Sequence, residues 1–287
     1  MPEKKVRIGL AQMRMSGDMG ENLARAESLV HKAAKKGAQI VCLPELFNAP
    51  YFAQYRKEEG MVEKLAEEIP GKTTRFLSEC ARKNNVVLVG GSIYEKSGTH
   101  LYNTSVIFAS DGKMMGIYRK THIPHDPMYF EQDYFERGDS GYKVFDTPFC
   151  RIAVLICYDQ WFPEAARSAA LAGAQIIFYP TAIGTVKNVE QAEGNWQEAW
   201  ENVMRGHAIA NCIPVAASNR VGSEGEMDFW GGSFVCNAFG KTLKRAGKRE
   251  GVIIAEIDLQ HGRDVAEGWR FFYNRRPETY GSITKQK

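Results

Sequence analysis

The apolar run RIAVLIC ends on a cysteine at residue 157, and the chain then turns polar through Tyr158, Asp159, Gln160 and Trp161 before Phe162-Pro163-Glu164 opens a helical pattern. A free cysteine is often a small core residue. Asp159 and Gln160, however, are poor continuations of a buried strand, and proline suits the first turn of a helix. The Cys157 thiol is therefore expected at a strand-to-helix turn, near backbone N–H groups and a helix N-terminus that favour the thiolate. A nucleophilic thiol needs a proton acceptor, and the tetrahedral species it forms needs a cation or N–H donors for its oxyanion. Histidine is the usual acceptor; of the six histidines, His122, His125 and His207 lie in suggestive contexts, whereas His31 sits on a lysine-rich helix. The alternatives are Glu45, after Leu43-Pro44 at one strand end, and Lys120, within IYRKTHIP at another. Each alone reads equally well as a solvated charge. With Cys157 they form a constellation at three strand ends.

Short β-branched runs alternating with helical patterns must supply those ends, which predicts an α/β organisation. VRIGLAQ (6–12) and QIVCLPE (39–45) read as strands, separated by a helix over 22–37 that stops at Gly37. A second helix covers Thr73 to Asn84, and VVLVGGSIYE (86–95), LYNTSVIFA (101–109) and MMGIYRK (114–120) then follow as strands with no helix between them. That succession predicts sheets with antiparallel parts. In the second half KVFDT, RIAVLIC, QIIFYP and IPVAASN read as strands, with helices at PEAARSAALAG and around Trp196 to Asn211. FWGGSFVCNAFGK reads as a strand pair, GVIIAEID (251–258) as a last strand and QHGRDVAEG as a final helix. No Pro/Ser-rich linker divides the halves, so one domain with two sheets between helix layers is expected. QIVCLPELF and RIAVLICYDQWFPEAAR echo one another, placing Glu45 and Cys157 at corresponding strand ends, where open α/β sheets hold ligands.

The 287 residues are 44% hydrophobic and 25% charged, enough for a substantial core and outside the range of disordered chains. A net charge of +3, with LKRAGKRE the main basic cluster, gives a nucleic-acid role little support. The N-terminus MPEKKVRIGL lacks a long apolar segment, and no run of the ~18 apolar residues needed to span a membrane occurs. A soluble cytoplasmic protein is expected. The six cysteines (Cys42, Cys80, Cys150, Cys157, Cys212 and Cys236) show no CxxC pair, which predicts reduced thiols rather than disulfides or a zinc site.

LPELF around Glu45, YRKTHIP around Lys120 and ICYDQWFPEAAR around Cys157 resemble the three signature segments of the nitrilase superfamily, carbon–nitrogen hydrolases with a Glu-Lys-Cys triad. GLAQM, NTSVIF, FYPTAIG, GHAIANCIPVAASNRVG and RRPETY extend the resemblance over nearly the whole chain. DQWFPEAAR and YPTAIG are similar to the N-carbamoylputrescine amidohydrolase branch. The resemblance implies a four-layer αββα sandwich with mixed sheets, one domain over 1–287 with a C-terminal extension from about 268, and a homodimer or larger homo-oligomer. It implies Glu45 as general base, Cys157 as nucleophile, Lys120 as stabiliser of the tetrahedral intermediate with the Tyr158 N–H, and Glu131 as orienting carboxylate. His122 and His125 become structural or pocket-wall residues. No metal or other cofactor is required.

The implied reaction is hydrolysis of a linear amide or N-carbamoyl amine through a thioester-type intermediate. The alternatives are a nitrilase taking a nitrile to acid and ammonia, and a non-catalytic small-molecule-binding scaffold of the same fold. Pocket-wall candidates are Tyr51, Asp126, Tyr158, Trp161, Thr181, Ala182 and Val186. Asp126, with Glu190 and Glu193, offers a carboxylate for a distant ammonium. Val186 stands where the plant branch has an acidic residue, and HDPMYF lacks that branch's glycine, so the resemblance does not extend to diamine specificity.

Overall fold

Alternation within the central strands decides what each face buries. In β1 (Lys5–Gln12), Val6, Ile8 and Leu10 enter one apolar cluster while Ala11 enters another; in β2 (Ile40–Cys42), Ile40 and Cys42 part from Val41 in the same way. In β8 (Arg151–Val154) and β9 (Ile176–Pro180), Ile152, Val154, Ile176 and Phe178 share the cluster of Val6 and Ile8, whereas Ala153, Ile177 and Tyr179 face a third. The shared cluster is the interface between two sheets, and the outer clusters are covered by helices. The computed structural model, which describes residues 5–58, 60 and 64–285, thus has the expected four layers, α–β–β–α.

The first sheet runs β16 (Gly251–Asp258), β1, β2, β3 (Val87–Val89), β5 (His100–Phe108), β4 (Ile93–Ser97), with β6 (Met114–Arg119) also paired to β5. β1, β2 and β3 are mutually parallel and the remaining pairs antiparallel. The second runs β15 (Thr242–Arg245), β14 (Phe234–Cys236), β11 (Val215–Ser218), β9, β8, β7 (Val144–Asp146), with β8, β9 and β11 parallel. A small antiparallel sheet joins β10 (Gly184–Val186), β13 (Met227–Trp230) and β12 (Val221–Glu224).

Helix α1 (Met19–Lys35) starts where the Asp18 side chain accepts from Glu21 N, and it buries Leu23, Ala26, Leu29, Val30 and Ala33, a stripe at helical spacing. With α2 (Lys72–Asn84) it covers the first sheet. Helix α3 (Pro163–Leu171) lays small residues, Ala165, Ala166 and Ala169, against the second sheet beside Trp200, Met204 and Ala208 of α4 (Trp196–Asn211). Helix α5 (Leu259–Trp269) follows β16, and residues 270–285 continue as mostly exposed turns and short 3-10 helices, with Phe271, Phe272 and Arg275 partly buried. Among the described residues no helix is long and apolar enough to cross a membrane. All six cysteines are free and buried.

Three elements differ from their sequence reading. VVLVGGSIYE forms two strands, because Gly91, at φ +61°, lies where a Cβ would come within 2.1 Å of the Pro44 carbonyl oxygen. FWGGSFVCNAFGK is no strand pair: Gly231 and Gly232, at φ +68° and +66°, swing the chain out of β13 and into β14, which belongs to the second large sheet. RIAVLIC leaves the ladder at Val154; Leu155 N still donates to Phe178 O, but Ile156 N turns to the Asp159 carboxylate.

Candidate active site

Beyond β2, Leu43 N makes one more ladder bond to Val89 O, and Pro44, which has no N–H, ends the pairing. Glu45 N then crosses toward the second sheet to Thr181 O at 3.4 Å, while Leu46 adopts a left-handed φ of +46° with its N–H on Ser92 Oγ. The turn aims the fully buried Glu45 carboxylate between the sheets. Its Oε1 accepts from Lys120 Nζ and from Asn103 Nδ2, both at 2.8 Å. Its Oε2 is buried and finds no donor among the described residues. One oxygen is fixed; the other has a lone pair to spare.

Lys120 lies one residue past β6, its N–H donating to Asn103 O. Its ammonium also donates to Glu131 Oε2 at 2.6 Å, and Glu131 Oε1 accepts from Tyr51 Oη at 2.8 Å. Two of the ammonium's three N–H donors are thereby occupied, and among the described residues no further acceptor is assigned to the third. Burial alone depresses the Lys120 pKa, but the charges of Glu131 and Glu45 outweigh it and the net shift is upward, so the side chain stays cationic. Burial raises Glu131 to about 7, against the pull of Lys120 and with a further push from Glu45. Lys120 and Glu131 therefore titrate as one unit.

Cys157 begins a 3-10 turn, Cys157–Trp161, that leads into α3 at Pro163. Its φ is +39°, a left-handed conformation that is costly for a side chain with a Cβ and that marks functional turns. Buried Asp159 holds this turn: Oδ2 accepts from Ile156 N and Tyr118 Oη, and Oδ1 from His122 N and Nδ1. The Cys157 turn is thus tied to the strand that delivers Lys120. Cys157 Sγ donates to Ala182 O at 3.8 Å. Contrary to the sequence expectation of a thiolate, burial and then the Glu45 charge push the thiol's pKa well up, with Lys120 only partly opposing them. Glu131 adds to the push from Glu45, and the Lys120 charge does not outweigh them together with burial. A thiol in such surroundings can act as a nucleophile only if a nearby acceptor takes its proton.

The structure gathers Glu45, Lys120, Glu131, Tyr51, Cys157 and Ala182 into this cluster. Thr181 braces it: its carbonyl accepts from Glu45 N, and its hydroxyl donates to Gln160 Oε1 and Tyr179 O. Tyr158 and Trp161 are half-buried in the turn after Cys157. Asp126 is exposed, and after burial it is the next cause of the raised Tyr158 pKa. Val186 pairs with Met227 in the small sheet and does not join the cluster's hydrogen bonds. The histidines are engaged elsewhere: His122 with Asp159 and stacked on Phe162 at 3.7 Å, His125 near Arg56 and Asp133, His207 on Gln160 O.

Asn103, Asp159, Arg220 and Glu224 were not among the site residues expected from sequence. Asn103 carried a signal, since Asn103, Thr104 and Ser105 are polar within an apolar run and all are fully buried. Asp159 did too, as the residue that spoiled the strand. Arg220 and Glu224, a buried ion pair at 2.9 Å, did not.

Residues 7–267 match the family model described as carbon-nitrogen hydrolase. The chain is 40% identical over 291 residues to an N-carbamoylputrescine amidase of Solanum lycopersicum, covering 98% of this chain and 96% of that one. It is 37% identical over 287 residues to a citrullinase of Francisella tularensis subsp. tularensis, covering 98% and 99%. A crystal structure of a carbon-nitrogen hydrolase from Helicobacter pylori G27 superposes with a TM-score of 0.91 at 36% identity, covering 98% of this chain and 99% of that one.

Proposed function

The chain belongs to the carbon–nitrogen hydrolase family, and from that membership we propose that it is an amidase acting on a linear amide or N-carbamoyl amine through a covalent intermediate on Cys157. The observation that carries the reading is the division of labour in Glu45, whose Oε1 is held by Lys120 and Asn103 while Oε2 is open.

Glu45 takes the thiol proton as Cys157 Sγ bonds to the carbonyl carbon, and the oxygen that becomes anionic is met by the remaining Lys120 N–H and the Tyr158 backbone N–H. The proton then passes from Glu45 to the departing nitrogen, the C–N bond breaks, and ammonia or an amine leaves an acyl- or carbamoyl-cysteine. Water, deprotonated by Glu45, attacks that carbon, and the thiol leaves with the proton restored. Glu131 and Tyr51 keep Lys120 in place and charged.

N-carbamoylputrescine and citrulline both carry a terminal ureido group, which supports a carbamoylated primary amine as the substrate class. Tyr51, Tyr158, Trp161, Ala182 and Val186 are the proposed walls. Asp126, exposed near Tyr158, is the carboxylate we assign to an ammonium-bearing tail. Val186 supplies no charge. We also propose that the chain pairs with a second copy through the α3–α4 face and the C-terminal segment, where Leu171, Trp269 and Tyr273 are 48%, 57% and 76% exposed; sedimentation at micromolar concentration should give a dimer or larger.

Purified protein is expected to release ammonia or amine from a panel containing carbamoylputrescine, citrulline, carbamoyl-β-alanine and ω-amides. Activity on nitriles alone would transfer it to the nitrilase reading. Silence on the whole panel, with Cys157 alkylated by iodoacetamide no faster than in denatured protein, would leave a binding scaffold.

A further inference from the structure

We infer that Arg220, together with Glu224, is a positioning residue for the Glu45 carboxylate, an assignment that rests on the amidase reading above. Arg220 is fully buried in the turn between β11 and β12, and its guanidinium uses every donor it has. Nε donates to Glu45 O at 3.2 Å, the Nη2 group to Leu46 O and to Ala49 O, and Nη1 to both oxygens of Glu224 at 2.9 Å. Glu224 Oε2 in turn accepts from Tyr51 N at 2.7 Å. One buried ion pair therefore grips four backbone groups between Glu45 and Tyr51.

The two ends of that segment hold different parts of the chemistry. Glu45 offers the open carboxylate oxygen, and Tyr51 donates its hydroxyl to Glu131, the second partner of Lys120. The segment contains left-handed Leu46, a conformation that survives only where its surroundings over-determine it. The preceding residue extends the grip to the nucleophile's side. Asn219 accepts from Ile183 N and donates to Ile183 O, both at 3.0 Å, immediately after Ala182, whose carbonyl accepts from Cys157 Sγ. A single turn thus sets the proton acceptor and the peptide beside the nucleophile against one another. A pair needed only for folding would not have to reach the carbonyl of the base itself.

Lysine at position 220 keeps the charge and the partner Glu224 but cannot reach three carbonyls at once. Arg220→Lys is expected to lower kcat about 100-fold, the effect of displacing a reacting group by roughly an ångström, with KM changed by less than about threefold. Hydrogen exchange should quicken in residues 45–51 and stay as in the wild type elsewhere. Glu224→Gln, which retains one acceptor oxygen, should lower kcat about tenfold with KM again held. Wild-type kcat in a folded Arg220→Lys protein, or unchanged exchange over 45–51, overturns the assignment. If Arg220→Lys does not fold, wild-type kcat in Glu224→Gln overturns it instead. A wild type that turns over no amide defeats the amidase reading, and the exchange measurement then decides the positioning role alone.

Discussion

The turns that carry Glu45 and Cys157 leave strands of the two large sheets that are not equivalent, β2 lying between two parallel neighbours and β8 between a parallel and an antiparallel one, and the turns are held in opposite ways. The Glu45 turn is gripped from afar: Ser92 takes Leu46 N across 46 positions of sequence, and Arg220 takes the Glu45 carbonyl across 175. The Cys157 turn is held largely by its own Asp159, three residues from the Ile156 N–H that it receives. Both contain a left-handed residue, Leu46 at +46° and Cys157 at +39°, and such a residue costs about 1–2 kcal/mol where a Cβ is present. Comparable strain is thus stabilised locally at Cys157 and by the assembled fold beside Glu45. Geometry at the base should accordingly be the more sensitive to distant substitutions.

Removing the reacting atoms gives the largest effects and tests whether both turns serve one reaction. Cys157→Ala should lower ammonia release on the order of 10⁴-fold or more, the scale on which loss of a nucleophile acts. Glu45→Gln keeps an oxygen for Lys120 and Asn103 but cannot take the proton, so a fall on the order of 10²–10⁴-fold is expected. Steady-state rates on the best amide of the panel measure both. Near-wild-type turnover in Glu45→Gln would remove the base from its turn and with it the comparison.

Next in size is the local brace. Asp159→Ala leaves the buried Ile156 N–H and the part-buried His122 N–H without their acceptor, at about 1–3 kcal/mol for the buried group and less for the other, to be read from urea unfolding. Its hydrogen-exchange footprint should centre on 156–162, apart from the 45–51 segment. A footprint that spread equally over both turns would show that the two are one cooperative unit.

The same contrast explains what was legible in the sequence. Strand alternation exposed the layers because Val6, Ile8 and Leu10 report directly on which face is buried, and the Cys157 turn was readable because Asp159 and Pro163 interrupt the apolar run on the spot. The resemblance supplied the roles of Glu45, Lys120 and Glu131, but not the neutral state of the thiol. That state depends on burial and on two carboxylates sharing one ammonium, a sum that exists only after folding. FWGGSFVCNAFGK reads as a strand pair because nothing nearby reveals that the strands flanking Gly231 and Gly232 enter different sheets. Arg220 was invisible for the same reason: all three carbonyls it holds lie more than 170 positions away.

A smaller effect belongs to the base side. Glu131 is raised from an ordinary 4.5 to about 7, so between those values the folded protein holds a proton that the unfolded chain gives up. Stability from this group is therefore fully present below 4.5 and is lost as pH rises through about 7. Glu131→Gln should flatten that decline in denaturant midpoints measured across the window. An unaltered slope would assign the proton to another member of the cluster.

The smallest effect sharpens the local side. Pro163 is exposed at the first position of α3, where its missing N–H leaves no helical bond unmade and its fixed φ restricts the unfolded chain. Pro163→Ala should therefore reduce stability by about 0.4–1 kcal/mol through the unfolded state. Because Phe162 N remains on Asp159 O and Ile156 N on the Asp159 carboxylate, the turn ahead of the helix should keep its shape and kcat should be unchanged. A tenfold or greater loss of kcat would mean that the helix start, and not Asp159 alone, holds Cys157 in its left-handed conformation.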